Sequence, residues 1–161
     1  MSEIKIEMLP PQGMVSLRCD YSKAPFSIPE TRKFADGVAW MSPDELLFIG
    51  DYDQAESKRA ELSETLKDQH HLAVNLSDAR AMFRLTGPNA REVLAKGAPV
   101  DLSPDAFKIG DLRRTHIGQV AAMFWMLEAD VFNLVCFRSV AGHVNDWLEM
   151  AARDNSLPHY F

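Results

Sequence analysis

The chain has 161 residues, 47% of them hydrophobic, and a formal net charge of −6. This length suits one domain that buries roughly 70% of its unfolded surface, and the acidic balance argues against nucleic acid or an anionic membrane as the main partner. No apolar run approaches the ~20 residues of a membrane span, and the N-terminus lacks the apolar core of a signal peptide. Cys19 and Cys136 form no C-x-x-C motif, which favours reduced thiols and a cytoplasmic location.

The first part of the chain alternates strand and turn signals. Gly13–Cys19 predicts a strand, and the proline-containing stretch 20–34 predicts an extended surface loop. Val38–Met41 and Glu45–Ile49 predict a hairpin closed by a Ser-Pro-Asp turn. A heavily charged helix is predicted to follow over about Gln54–Gln69.

That charged helix has few inward positions and one candidate cap. Asp53 and Glu56 have the spacing of a capping box, with aspartate in place of the usual serine or threonine. Ala55, Leu62 and Leu66 are its clear apolar positions and are expected to face the core.

The clearest local signals lie in the middle of the chain. Ala81, Phe83 and Leu85 alternate with more polar residues, which predicts a half-buried strand. Pro88 then suits the first turn of a short helix. Gly97 is predicted to end that helix in the left-handed conformation.

The last third predicts three strands and a helix. The strands are expected over Asp111–Ile117, Val120–Leu127 and Val131–Phe137, and the second is continuously apolar, as in a strand buried on both faces. Ser139 is a candidate cap for the helix. The predicted apolar face of that helix comprises Val144, Trp147, Leu148 and Ala151.

A weak internal repeat relates the two parts of the chain. Trp40-Met41 and Trp125-Met126 are each followed by an acidic turn, an apolar strand and a helix, at an offset of about 85 residues. We therefore predict an α+β fold with mainly antiparallel sheets and helices packed on one face of each. It would be a single unit over 1–161, made of two pseudo-repeat halves, about 13–86 and 87–154, with short tails.

Metal and nucleophile chemistry find little support in the sequence. No His-x-x-x-His pair and no cysteine cluster occurs, so no metal site is predicted. Cys136 lies in an apolar strand, where a thiol is more often part of the core than reactive. Neither a G-x-S-x-G motif nor a phosphate-binding loop is present. The histidines, all expected to be structural, are His70, His71, His116, His143 and His159.

Several motifs together carry a family resemblance. L-T-G-P-N-A-R-E-V-L, then D-L-S-P, then R-R-T-H-I-G, beginning at Leu85, Asp101 and Arg113, resemble the folate-binding domain of the glycine-cleavage aminomethyltransferase family. Within it they are most similar to the gamma subunits of bacterial heterotetrameric sarcosine oxidases. The resemblance implies a folate-binding-domain-like fold in which the two halves are intertwined.

The resemblance also implies that the active site is lost. Catalytic members carry an acidic pair after a glycine turn, in a Gly-Gly-hydrophobic-x-Asp-Asp pattern, and that pair falls here on Ala121 and Ala122. Alanine can neither hold charge nor transfer a proton. Catalytic members also have a second, barrel-like domain, which is not expected in a chain ending at Phe161. No catalytic or cofactor-binding residue is predicted, and the isolated chain is expected to be inactive.

By resemblance, the chain is expected to be a non-catalytic structural subunit beside alpha, beta and delta subunits. FAD, FMN, NAD, tetrahydrofolate and zinc would be held by those partners. The complex would oxidatively demethylate sarcosine to glycine and pass the one-carbon unit to tetrahydrofolate. The alternatives are a stand-alone folate-binding or regulatory protein, and an aminomethyltransferase, which Ala121 and Ala122 disfavour.

The apolar C-terminal tail is the candidate for a partner contact. Leu157, Tyr160 and Phe161 follow the helix stop and show no periodic pattern. Aromatic side chains dominate interface hot spots, which favours docking on a partner. A frayed end, or a tail folded back on its own chain, is the alternative.

Overall fold

The computed structural model describes residues 3–161, which form two five-stranded sheets and three α-helices. All strand pairs within the sheets are antiparallel, so the predicted α+β class is confirmed. The strands are β1 Lys5–Met8, β2 Gln12–Cys19, β3 Phe34–Ala35, β4 Val38–Ser42, β5 Glu45–Asp51, β6 His71–Asn75, β7 Arg80–Thr86, β8 Leu112–Ile117, β9 Val120–Glu128 and β10 Val131–Phe137. The helices are α1 Ala55–Thr65, α2 Ala90–Ala95 and α3 Ala141–Ala151. Across residues 3–161, no helix has the length and apolar character that crossing a membrane requires.

The chain divides into two compact units. The N-terminal unit is Pro11–Ala79, and the C-terminal unit combines the chain up to Pro10 with Arg80–Phe161. Strand β7, which the sequence places at the end of the first half, pairs instead with β1 and β10 in the C-terminal unit. β7 therefore belongs to the C-terminal unit, where strands of the C-terminal sheet lie on both sides of it.

The N-terminal unit packs one helix on its sheet. The strand order is β3-β4-β5-β2-β6. Of the predicted inward residues, Ala55 and Leu62 lie in α1 and Leu66 directly follows it. They are 3%, 2% and 0% exposed and pack with Val15 and Leu17 of β2. Between β2 and β3 the chain forms a short 3-10 turn, Tyr21–Lys23, followed by bends and a tight turn that contains Arg32, and this is the loop that the prolines predict.

The C-terminal unit has the strand order β1-β7-β10-β9-β8 and a larger core. Phe83 and Leu85 are fully buried, which confirms the face assigned to β7. The middle of β9, from Ala122 to Met126, is buried at every position, as its continuous apolar sequence predicts. Both α2 and α3 contribute buried apolar side chains to this core.

The two units repeat the same topology at an offset of 86 residues. Trp40 pairs with Leu46 in one hairpin as Met126 pairs with Phe132 in the other, and a one-residue bulge follows each pair on the turn side. Because the offset is one residue longer than the tryptophans suggest, Trp40 and Trp125 lie on opposite faces of their strands. The pattern found in the sequence is therefore genuine but shifted by one position.

The predicted helix caps are wrong in both units, for one reason. A three-residue 3-10 turn precedes each helix, Tyr52–Gln54 before α1 and Arg138–Val140 before α3. The turn includes Asp53 and Ser139, so the cap positions pass to the residues that follow them. Gln54 and Val140 occupy those positions, and neither makes a side-chain capping bond.

Gly97 is also not the left-handed cap that the sequence predicts. Its φ lies outside the left-handed region, and a Cβ there would lie 2.5 Å from two ring atoms of Trp147. Real Cβ contacts are longer, so this position needs glycine for close packing rather than for backbone freedom.

Candidate functional site

The β8–β9 hairpin is the place where the resemblance locates the acidic pair of catalytic relatives. Its turn contains Gly118 at φ +60°. Ala121 is exposed and lies opposite His116, while Ala122 is 8% exposed and lies between Thr115 and Cys136 in the sheet. Two methyl groups therefore occupy these positions, and they cannot accept or donate a proton.

The Trp147 indole ring packs beside the turn of this hairpin. Trp147 of α3 packs against Gly97, and a Cβ on Gly118 would lie 3.5 Å from the indole nitrogen. The Gly118 N–H donates a 3.0 Å hydrogen bond to the Gly97 carbonyl. The hairpin turn is thus packed against an apolar ring and another loop.

The two thiols are poor nucleophiles where they lie. Burial raises the pKa of Cys136 to about 11. The pKa of Cys19 is raised by burial first, and then by the carboxylates of Asp20 and Asp44. Since the thiolate is the reactive form, both side chains stay protonated and unreactive near neutral pH.

Metal-ligating side chains are dispersed over the described part of the chain. No group of three or more histidine, cysteine, aspartate or glutamate side chains within residues 3–161 is placed to hold a metal ion. His71 instead has its Nδ1 2.9 Å from the Gln69 carbonyl oxygen.

The C-terminal tail is divided between a packed residue and an exposed pair. Leu157 is partly buried and packs against the core of the C-terminal unit. Tyr160 and Phe161 are 75% and 49% exposed, with ring centroids 6.5 Å apart in an edge-on arrangement. The structure thus brings the two aromatic rings together on an exposed segment, whereas Leu157 packs on the core.

Two charged residues that the sequence analysis missed hold this tail. Glu92 of α2 is 4% exposed and accepts a 2.8 Å hydrogen bond from the Phe161 N–H at Oε1. The Lys96 ammonium donates to the Ala151 carbonyl at 2.6 Å and to Ser156 Oγ at 2.8 Å. These contacts join residues more than 50 positions apart, so no local pattern could have predicted them.

The N-terminal unit contains a cavity of about 290 Å³ beside the start of α1. A second cavity of about 400 Å³ shares Val38, Phe48 and Lys58 with it. The first is lined by Gly13, Val15, Asp36, Gly37, Val38, Phe48, Ile49, Gly50, Asp51, Gln54, Ala55 and Lys58.

Sequence comparison relates most of the chain to one family. The model of the sarcosine oxidase gamma subunit family matches residues 28–154. A sarcosine oxidase subunit gamma from Corynebacterium sp. (strain P-1) is 31% identical over 111 residues, which cover 69% of this chain and 54% of the relative. The chain thus spans about half the length of that relative.

Structural comparison agrees on the fold. Heterotetrameric sarcosine oxidase from Corynebacterium sp. U-96, in complex with pyrrole 2-carboxylate, contains a chain that matches with a TM-score of 0.83 at 21% identity, covering 95% of this chain and 85% of that one. The glycine cleavage system aminomethyltransferase T from Bartonella henselae matches with a TM-score of 0.65 at 14% identity, covering 95% and 50%. The predicted folate-binding-domain-like architecture is therefore confirmed.

Proposed function

The chain belongs to the sarcosine oxidase gamma subunit family, and from that premise we propose that it is a non-catalytic structural subunit of a heterotetrameric sarcosine oxidase. Its partners would be alpha, beta and delta subunits in the cytoplasm. The assembled complex would oxidatively demethylate sarcosine to glycine and transfer the one-carbon unit to tetrahydrofolate. FAD, FMN, NAD, tetrahydrofolate and zinc would be bound by the partner subunits.

The observation that carries this proposal is the β8–β9 hairpin. A subunit that shares its fold with an aminomethyltransferase, yet has Ala121 and Ala122 where the resemblance puts the acidic pair, keeps the scaffold without the proton-transferring groups. The protonated thiols of Cys19 and Cys136 offer no substitute nucleophile. A structural role is the function that remains.

The test is co-expression with the partner subunits. We expect this chain to co-purify with them in a 1:1:1:1 complex that forms peroxide from sarcosine. The chain alone should bind no flavin and should not oxidise sarcosine. A complex that assembles and turns over fully without this chain would contradict the structural role.

The stand-alone folate-binding alternative is decided by a different measurement. It requires the isolated chain to bind tetrahydrofolate, which isothermal titration calorimetry would detect. Tight binding by the chain alone, together with no co-purifying subunits, would replace the structural proposal with this alternative.

Within the proposed complex, the tail is the candidate contact with a partner. The rings of Tyr160 and Phe161 are exposed together, and Glu92 and Lys96 hold the segment that carries them. Holding the tail in place before association lowers the entropy lost on docking. Leu157 contributes indirectly, since it packs on this chain's own core.

The tail is best tested by side-chain removal rather than truncation. Tyr160→Ala with Phe161→Ala should weaken binding to the partner subunits by about 2 kcal/mol or more if both rings are hot spots. The matched control is Met150→Ala, another exposed apolar residue of the same unit. Unchanged assembly in the double variant would remove the tail from the interface.

A further inference from the structure

The cavity in the N-terminal unit is lined by glycine at two positions of the repeat where the C-terminal unit has side chains. Gly13 pairs with Gly50 in the N-terminal sheet, at the place where Ala81 pairs with Cys136 in the C-terminal sheet. Ala81 and Cys136 belong to the C-terminal core. Both glycine counterparts line the cavity beneath the start of α1. A Cβ on Gly50 would enter open space, whereas a Cβ on Gly13 would lie 2.2 Å from the Asp51 carbonyl oxygen, so the open space lies beside Gly50.

Two further positions of the repeat are polar in the N-terminal unit and apolar in the C-terminal unit. Lys58 of α1 takes the place of Val144 in α3, and Gln54 takes the place of Val140, at the same offset of 86 residues. Val144 is fully buried, and Val140 packs against the C-terminal core. The C-terminal unit therefore packs two valines against its core at these positions, whereas in the N-terminal unit the equivalent Lys58 and Gln54 line the cavity.

The lining of this cavity carries both signs of charge and an apolar wall. The Lys58 ammonium lies 5.2 Å from the centre of the Phe48 ring and forms a 3.5 Å ion pair with Glu61, which a ligand carboxylate would compete with. Asp36 and Asp51 line the side formed by the β3–β4 turn and the end of β5. A purely anionic ligand would satisfy the lysine alone, and a purely cationic ligand would satisfy the aspartates alone.

We propose that this cavity binds a small zwitterionic amino acid with an apolar side chain. Its carboxylate pairs with the Lys58 ammonium near the start of α1. Its ammonium faces Asp36 and Asp51, and its side chain lies against Phe48. The volume of about 290 Å³ accommodates such a ligand, and the second cavity beyond Phe48 gives room for a longer side chain.

The experiment is an NMR titration of the full chain with three matched probes. L-leucine carries both charges, 4-methylpentanoate only the carboxylate and 3-methylbutylamine only the ammonium. We expect leucine to shift the amide resonances of the cavity residues and to bind at least about tenfold more tightly than either analogue, since each lost charge pair removes a charge-assisted hydrogen bond. No binding of leucine at tens of millimolar, or equal binding of all three probes, would overturn the proposal.

Substitutions at cavity residues test whether the amino acid binds in this cavity. A Cβ on Gly50 meets no atom within 4 Å, so Gly50→Leu can fill the cavity without distorting the backbone and should abolish binding. Lys58→Met should weaken binding by about tenfold. The controls are Gly142→Leu, at another open glycine, and Lys67→Met, at an exposed lysine outside the cavity. Binding that survives Gly50→Leu, or that the controls also abolish, would mean that the ligand lies elsewhere.

Discussion

The two units of this chain share one topology and differ in how they cover their sheets. In the C-terminal unit, α2 and α3 both bury apolar side chains. In the N-terminal unit, α1 is the one α-helix, and its buried positions are small or few. The space between helix and sheet is therefore filled by apolar side chains in the C-terminal unit and is partly open in the N-terminal unit.

Comparing the two units distinguishes the features that the shared backbone requires from the residues that form the cavity of the N-terminal unit. The hairpin bulge, the 3-10 turn and the eleven-residue helix recur in both units, so they belong to the framework. The residues that fill or open the space beneath the helix do not recur. Substitutions at equivalent positions of the two units can therefore be compared by their unfolding free energies, because the backbone around them is the same and the side-chain packing differs.

The largest expected effect comes from the core of the C-terminal unit. Phe83 is fully buried and occupies the position of Val15 in the repeat. Phe83→Ala should lower the free energy of unfolding by about 3–5 kcal/mol, the usual cost of deleting a buried ring. Val15→Ala should cost about 2 kcal/mol, because it deletes a smaller group.

Urea denaturation of both variants measures this contrast. Phe137→Ala is the matched control, because its ring is 52% exposed and its main partner is the Arg80 guanidinium. It should cost less than about 1 kcal/mol. Equal costs for Phe83→Ala and Phe137→Ala would mean that burial does not distinguish these rings.

The second effect concerns the Trp147 ring, which packs against Gly97 in the C-terminal unit. Trp147 stands at the position of Glu61 in the repeat and packs against Gly97. Gly97→Ala should cost about 1–3 kcal/mol by overpacking. With Trp147→Leu the ring is absent and the Gly118 backbone nitrogen, at 3.1 Å, remains as a close neighbour of the added Cβ, so the same substitution should cost less. A double-mutant cycle on unfolding free energies gives the coupling, and a coupling near zero would show that the ring moves aside freely.

Much of the framework could be predicted from the sequence because it depends on local periodicity. The alternation through Phe83 and Leu85 and the helical spacing of Leu62 and Leu66 identified the buried faces correctly. Pairings across long separations could not be predicted in this way. The Glu92 contact with Phe161 spans 69 residues, and nothing in the local sequence of α2 indicates it.

The errors in the site residues have physical causes as well. Glycine suits the left-handed conformation, so the sequence predicts a cap at Gly97, whereas the actual constraint at this position is the ring of Trp147, 50 residues away. The local sequence does not indicate the cavity, because Gly13 and Gly50 resemble ordinary strand residues until the repeat aligns them with Ala81 and Cys136.

A smaller, pH-dependent effect distinguishes Cys136 from its counterpart Gly50. Burial raises the pKa of the Cys136 thiol to about 11, whereas an unfolded thiol ionises near about 8.5. The stability contributed by the neutral thiol is therefore complete below about pH 8.5 and is lost as the pH rises toward about 11. Unfolding free energies at pH 7.5, 9 and 10.5 should fall more steeply for the parent chain than for Cys136→Ala. Parallel pH profiles would contradict the raised pKa.

The smallest expected effect concerns the two helix starts, which are equivalent in the repeat. Asp53 and Ser139 have the residue types of good caps, and a functioning cap is worth about 1 kcal/mol. Both lie inside the 3-10 turn that precedes their helix, and the true cap positions make no side-chain bond. Asp53→Ala and Ser139→Ala should therefore each change the free energy of unfolding by less than about 0.5 kcal/mol. Thermal and urea unfolding of the two variants, measured beside Phe83→Ala, are sensitive enough to separate these outcomes. A loss of about 1 kcal/mol in one variant only would show that the two helix starts, alike in backbone, are stabilised differently.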